Sequence, residues 1–290
     1  MVDYINAIVQ GLLLGGLYAL FAVGLSLVFG TMRLTNLAHG AVIILAAYVA
    51  LKLVDSFQFN PFYSIPITMV IMFIFGYLLQ RGVLNWIVRG GEIAGVIVTF
   101  GLLMIIQNGL QQYFSADDQR LMIGWEGTSI KLTSGVFIGW LPLTIFLMAV
   151  VVIAGLQLFL SRTRMGRAFR AVSDDQEAAR MMGINNRHIW GTALGVAFMI
   201  AAIGGVMFGI NTSFSPTLGN RNLIFAFEAV IIGGMGSIWG TLLGGVVLGL
   251  AQTLGGQVFG GRWDIFCGHI VFLLILALKP QGLLAKTVQA

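Results

Sequence analysis

Polar residues are bunched along this chain rather than spread. Apolar runs occupy 7–29, 37–53, 61–84, 94–114, 136–160, 189–211, 223–259 and 265–284, and most of the charge gathers between them. Most runs reach the ~20 residues of helix needed to cross ~30 Å of hydrocarbon. They are continuous, whereas a spanning β-barrel needs ~10-residue alternating segments. The pattern predicts an all-α fold, a polytopic transmembrane helix bundle. The run 223–259 is too long for one crossing and is interrupted by Gly233-Gly234-Met235-Gly236-Ser237-Ile238-Trp239-Gly240. It reads as two short spans, or as one span and a re-entrant piece, with a Gly-rich break near 233–240. Eight to nine spans follow, in one membrane domain covering 1–290.

One polar island interrupts the runs. Residues 161–187 read SRTRMGRAFRAVSDDQEAARMMGINNR and hold six arginines. Unpaired charge in lipid costs roughly 2.5–3.5 kcal/mol per residue even on the lenient insertion scale, so this segment is a loop at one membrane face. Ser173-Asp174-Asp175-Gln176 matches a capping box, with Ser173 at the N-cap and Gln176 at N3. Asp174, Asp175 and Glu177 then fall in a first turn, where the helix dipole favours negative charge. Gly183 follows as a left-handed stop. The spacing predicts a helix over 174–182 with Ala178, Met181 and Met182 on a small apolar face. So short a helix is marginal alone in water. Membrane lipid headgroups, or a partner surface, would stabilise it.

Composition sharpens this picture. Hydrophobic residues make up 58% of the chain and charged residues 9%, against roughly 25% charged in soluble domains. Net charge is +5, but the basic residues sit mostly in short loops, so topology explains the bias and no nucleic acid is expected. With the island inside, Arg33, Arg81, Arg89, the island arginines, Lys279 and Lys286 face the cytoplasm. Lys52, Arg120, Lys131, Arg221 and Arg262 face out with Asp3, Asp55, Asp117, Asp118, Glu126 and Asp264. This is a positive-inside arrangement in an inner (plasma) membrane, with an external N-terminus. The C-terminus is cytoplasmic if 223–259 crosses twice. Residues 1–6 carry Asp3 and no Lys or Arg, and the run after them is too long for a signal core, so the first span is expected to remain.

Several chemistries find no support in the residues. Cys267 is the one cysteine, and His39, His188 and His269 are far apart with no ligand partner at helical spacing, so no metal site is expected. No Gly-x-x-x-x-Gly-Lys-Ser/Thr phosphate loop occurs. No catalytic residue and no bound cofactor are expected; ATP would have to be handled by another polypeptide. Glu228, flanked by Phe225, Phe227, Val230 and Ile231, is an ionisable group in an apolar run. Such a group faces a bundle interior or an aqueous cavity, or reaches water at a span end. At i−4 and i+4 stand Ile224 and Ile232, so any partner cation must come from another span. Asn36 and His39 read as helix-start hydrogen-bonding groups or as substrate contacts. Gly233, Gly234 and Gly236 read either as tight packing or as backbone lining a path.

Three stretches, in order, carry a resemblance: Asn36-Leu37-Ala38-His39-Gly40, RMGRAFRAVSDDQEAARMMGIN within the island, and Ile232-Gly233-Gly234-Met235-Gly236-Ser237. Together they resemble the branched-chain amino acid permease family of ATP-binding-cassette importers, its LivH-like branch, over essentially the full length. Ala41 stands where the family commonly has an acidic residue, and Trp239 where it often has proline. The resemblance implies a permease subunit without its own ATPase. It implies cytoplasmic ATP-binding-cassette ATPases docking on the island, a second permease chain, the same or related, and a periplasmic or extracellular substrate-binding protein. The ATPase-coupling residues it implies are Asp174, Asp175, Glu177, Ala178, Arg180, Met181, Met182, Gly183, Ile184 and Asn185. The solutes implied are branched-chain amino acids, small amides or organic acids. A stand-alone secondary transporter or channel is the competing class, and would need a coupling-ion site, for which Glu228 is the clear candidate. A structural membrane protein with no path is the third.

Overall fold

The computed structural model describes residues 2–87, 92–125, 127–133 and 135–284. Among them the helices are α1 (Val2–Met32), α2 (His39–Phe57), α3 (Pro61–Leu79), the short α4 (Asn85–Ile87), α5 (Glu92–Phe114), α6 (Trp140–Arg162), α7 (Arg164–Asp174), α8 (Gln176–Met181), α9 (Asn186–Asn211), α10 (Gly219–Gly233), α11 (Ile238–Phe259) and α12 (Asp264–Leu278). Seven are long and apolar enough to cross a membrane: α1, α2, α3 with its extension to Leu84, α5, α6, α9 and α11. Helices α10 and α12 have 15 residues each, ~22 Å of rise. The polytopic helical bundle is present, with seven helices of spanning length and the shorter α10 and α12 beside them, where the runs suggested eight or nine spans.

The fold is not purely helical. The run 136–160 opens as a strand, β2 (Val136–Gly139), paired antiparallel with β1 (Ser129–Thr133). Extended backbone at Gly139 and Pro142 just beyond it delay the helix to Trp140. The hairpin seats the start of α1: Asn6 Nδ2 donates to the Gly135 carbonyl at 2.6 Å, and Phe137 N–H donates back to Asn6 Oδ1 at 3.1 Å.

Helices α1 and α9 form the centre and are buried nearly all round, while α3, α5 and α6 bury one face only. Small residues allow this. A Cβ at Gly15 would lie 2.8 Å from the Val246 nitrogen, and one at Gly245 would lie 2.6 Å from the Gly15 carbonyl oxygen, so α1 and α11 touch backbone to backbone.

The bundle has two distinct faces. On one lie the Asn6–Gly135 contact, the Leu121 N–H to Gly209 O bond and the paired backbone bonds between Gln119 and Phe214. On the other, the Ser173 hydroxyl donates to the Gly30 carbonyl, and the Leu283 and Leu284 N–H groups donate to Ile232 and Gly233. The described C-terminal segment therefore shares the island face, and the start of α1 lies on the opposite one. Arg89, Glu126 and Lys286, assigned faces from sequence, lie outside the described residues.

Two helices start inside the bundle. After α1 ends, residues 33–38 turn back inward: Arg33 takes a left-handed φ of 52°, and Leu37 N–H donates to Thr99 Oγ1 on α5 at 3.2 Å. Helix α2 then begins beside α1, with His39 Nε2 donating to the Phe21 carbonyl at 2.8 Å. Phe21 follows Val2 by nineteen residues, so it lies roughly 28 Å along α1 at 1.5 Å per residue. On the other side, Phe214 is pinned between Gln119 and Tyr48, and a 3₁₀ turn, Pro216–Leu218, leads inward to α10. The two starts meet: a Cβ at Gly40 would run into the Gly219 carbonyl, and one at Gly219 would lie 3.0 Å from the Ala41 backbone.

The expected Gly-rich break is present, as a turn between α10 and α11 and not as a re-entrant piece. Residues 234–237 form a turn on the island face, with φ of 101° at Gly234 and 82° at Gly236, where L-residues are disfavoured. Gly236 packs on Gly30, and Gly233 on Gly240. The re-entrant stretch is 212–218 instead. The gap between the runs 189–211 and 223–259 marked a loop here, but its inward course depends on the distant partners Gln119, Tyr48 and Gly40. Arg221, placed on the outer face by the charge census, sits exposed in the first turn of α10.

Candidate functional site

Two regions bring the singled-out residues together. The first is the island. Thr163 accepts the Gly166 N–H at 3.0 Å and caps α7, whose Phe169 and Val172 are buried while Arg164, Arg167 and Arg170 stay exposed. The expected single helix over 174–182 is corrected here. Ser173 is not an N-cap; it lies inside α7, and its hydroxyl ties the island to Gly30. Asp174 closes α7. Asp175 adopts extended backbone and accepts from the N–H groups of Glu177 at 2.8 Å and Ala178 at 3.0 Å, so it caps α8. Asp at an N-cap competes well with Ser, and here Ser173 already has a partner on α1.

The stop at Gly183 is as expected, at φ 84°. Ile184 N–H bonds to Ala179 O at 3.0 Å and Gly183 N–H to Arg180 O at 3.0 Å, the two bonds of a Schellman motif, which satisfy carbonyls at the helix end. Asn185 then caps α9, accepting from His188 N–H at 3.3 Å. The apolar face is shifted by one residue from expectation. Ala179 is the buried position, Ala178 is half-buried, and Met181 and Met182 are 81% and 83% exposed. Beside them opens a cavity of ≈ 600 Å³, lined by Gln176, Glu177 and Arg180 of α8, Ile184 and Asn185 of the turn, and Asn186, Arg187 and Trp190 of α9. Asn186 Oδ1 and Trp190 Nε1 are buried there without a partner among the described residues.

The second region is a polar cluster within the bundle. Glu228, 4% exposed, pairs through Oε1 with His269 Nδ1 of α12, the one carboxylate–basic side-chain pair among the described residues. Its Oε2 is buried with no partner among them. His269 is thus the other-span partner that Ile224 and Ile232 could not supply, and spacing alone gave no sign of it because 41 residues separate the pair. Phe225 links the neighbours: its ring lies 6.3 Å from that of His269 and 4.9 Å from that of Tyr18, and the Arg221 guanidinium sits 5.5 Å from its centroid. Tyr18 donates to Gln252 Oε1 at 2.6 Å.

Asn36 and His39 are fully buried at the start of α2. Asn36 Oδ1 accepts the Ala38 N–H at 3.0 Å, so both residues serve the inward turn. Gly233, Gly234 and Gly236 lie at the island face, apart from the Glu228 cluster.

A multi-pass helical membrane protein with a structured polar island on one face and a Glu228–His269 contact between two of its helices has the form of a transport protein. The model of the branched-chain amino acid transport system / permease component family matches residues 7–278, and the chain belongs to that family. It is 30% identical to the high-affinity branched-chain amino acid transport system permease protein BraD of Pseudomonas aeruginosa, over 98% of this chain and 96% of that protein. It is 25% identical to the permease protein LivH of Salmonella typhimurium, over the same shares. A solved structure, PsaBC from Streptococcus pneumoniae in complex with Fab, overlays at a TM-score of 0.47 and 14% identity, covering 96% of this chain and 92% of that one.

Proposed function

We propose that the chain is the translocating subunit of an ATP-driven importer for a branched-chain amino acid or a related small amide or organic acid. Two permease chains enclose the path, cytoplasmic ATPases dock on the island, and an external binding protein delivers the solute. ATP is bound by the ATPases, and this chain holds no cofactor. The island face is cytoplasmic and the start of α1 external, in keeping with the positive-inside distribution.

The observation that carries this reading is the island surface. A helix capped at both ends presents Met181 and Met182 to solvent beside a cavity that offers Glu177, Arg180 and Arg187. Flexible thioethers next to fixed charges suit a protein surface that must stay engaged while it moves. Asp175, Gly183, Ile184 and Asn185 hold the helix in shape, and Ala178 sets how closely a partner can approach. The names of BraD and LivH support the solute class.

Co-purification tests the docking. Co-expressed ATP-binding-cassette ATPase subunits are expected to purify with the wild-type chain. They are expected to be lost when Met181→Asp and Met182→Asp are combined, with the bundle still folded. Equal recovery with the double variant would remove the island as the docking site.

A further inference from the structure

Arg221 is an exposed arginine in the first turn of a helix that starts inside the bundle. Gly219 lies against the first turn of α2, whose His39 reaches the Phe21 carbonyl, roughly 28 Å into α1. A guanidinium at that depth cannot lose its proton and does not face lipid unpaired without a large penalty. No carboxylate among the described residues pairs with it; its recorded neighbour is the face of Phe225. The start of α10 has no side-chain cap, and Asn222, in the same turn and 2% exposed, keeps an unpartnered Nδ2 donor. The first turn of α10 thus holds two side-chain donors without an acceptor among the described residues, the Arg221 guanidinium and the Asn222 carboxamide, near a helix start whose dipole favours an anion. Two turns further along α10, Glu228, the acid of that helix, is already engaged by His269 and forms no pair with Arg221.

We propose that Arg221 is the carboxylate-binding residue of the translocation path, with the uncapped start of α10 and Asn222 beside it, and with the Glu228–His269 pair lining the path further in. This deepens the importer reading and rests on it. A passing amino or organic acid would meet bidentate donors at mid-depth, and an amide or amine of the same shape would lack the charge they select.

The assembled importer, reconstituted in proteoliposomes with radiolabelled L-leucine as probe, provides the test. In a Cys267→Ser background, Arg221→Cys is expected to react with a charged, membrane-impermeant thiol reagent, because the position lies in water. Arg221→Gln is expected to lower maximal leucine uptake ~10-fold or more while the subunits still assemble, and Arg221→Lys to keep more uptake than Gln, with the charge but not the fork. An unreactive Arg221→Cys, wild-type uptake by Arg221→Gln, or dissociation of the permease pair in Arg221→Gln would each overturn the proposal, the last by making Arg221 a subunit contact. If the wild-type importer takes up no leucine, the solute class named above falls, and the labelling of Arg221→Cys still decides whether this residue faces an aqueous path.

Discussion

The island and the inner starts of α2 and α10 solve opposite problems with the same device, the beginning of a helix. On the island, α8 begins in water and is fully dressed: Asp175 accepts two N–H groups, and Gly183 with Ile184 closes the far end. Inside the bundle neither α2 nor α10 has a side-chain cap. The difference shows what each start serves. A capped surface helix holds its shape before any partner arrives. An uncapped start in low dielectric leaves donors in reserve, and it persists because the surrounding packing fixes it, through Gly40 against Gly219 and Thr99 against residues 35–37.

The largest effect expected from breaking this contrast is at the inner starts. Gly40→Leu drives a side chain into the Gly219 carbonyl and Leu223; with backbone as the obstacle, overpacking is expected to cost about 3 kcal/mol or more. The variant should yield little monodisperse protein in detergent by size exclusion. Next comes Glu228→Leu, which leaves His269 without its acceptor and adds no new partner. A loss of about 1–3 kcal/mol is expected, read as a lower unfolding temperature in detergent, with Glu228→Gln losing less because it keeps a hydrogen bond to the ring.

Island changes should be smaller and local. Asp175→Ala removes both cap bonds and is expected to cost about 0.5–2 kcal/mol of α8 stability. Amide exchange at residues 177–182 would rise while the bundle's melting temperature stays put. Gly183→Ala is milder still. Nothing stands within 4 Å of its Cβ, so only the left-handed backbone resists, at about 1 kcal/mol. Protease sensitivity near residue 183 should increase slightly with no change in assembly.

The two regions were unequally legible in the sequence. Continuous apolar runs gave the bundle, and a charge cluster that lipid cannot hold gave the island, its Gly183 stop included. Local spacing misassigned the cap to Ser173 because the competing partner, the Gly30 carbonyl, is 143 residues away. The inner starts registered only as gaps between apolar runs: nothing local to 33–38 or 212–218 shows that the chain turns inward there, because those turns are set by contacts with Thr99, Gln119 and Tyr48. The Glu228–His269 pair was invisible for the same reason. Glycine clustering at 233–240 pointed to a break but not to its depth, since close helix packing and a surface turn select the same residue.

Parallel thiol labelling of two positions measures the contrast directly. Met181→Cys and Asn220→Cys, each in a Cys267→Ser background, would be exposed to an impermeant reagent applied to the purified permease, with and without its ATPase subunits. The account predicts that Met181→Cys reacts in the free permease and is shielded by the ATPase, while Asn220→Cys reacts at the same rate in both. Equal labelling of Met181→Cys with and without the ATPase would contradict it.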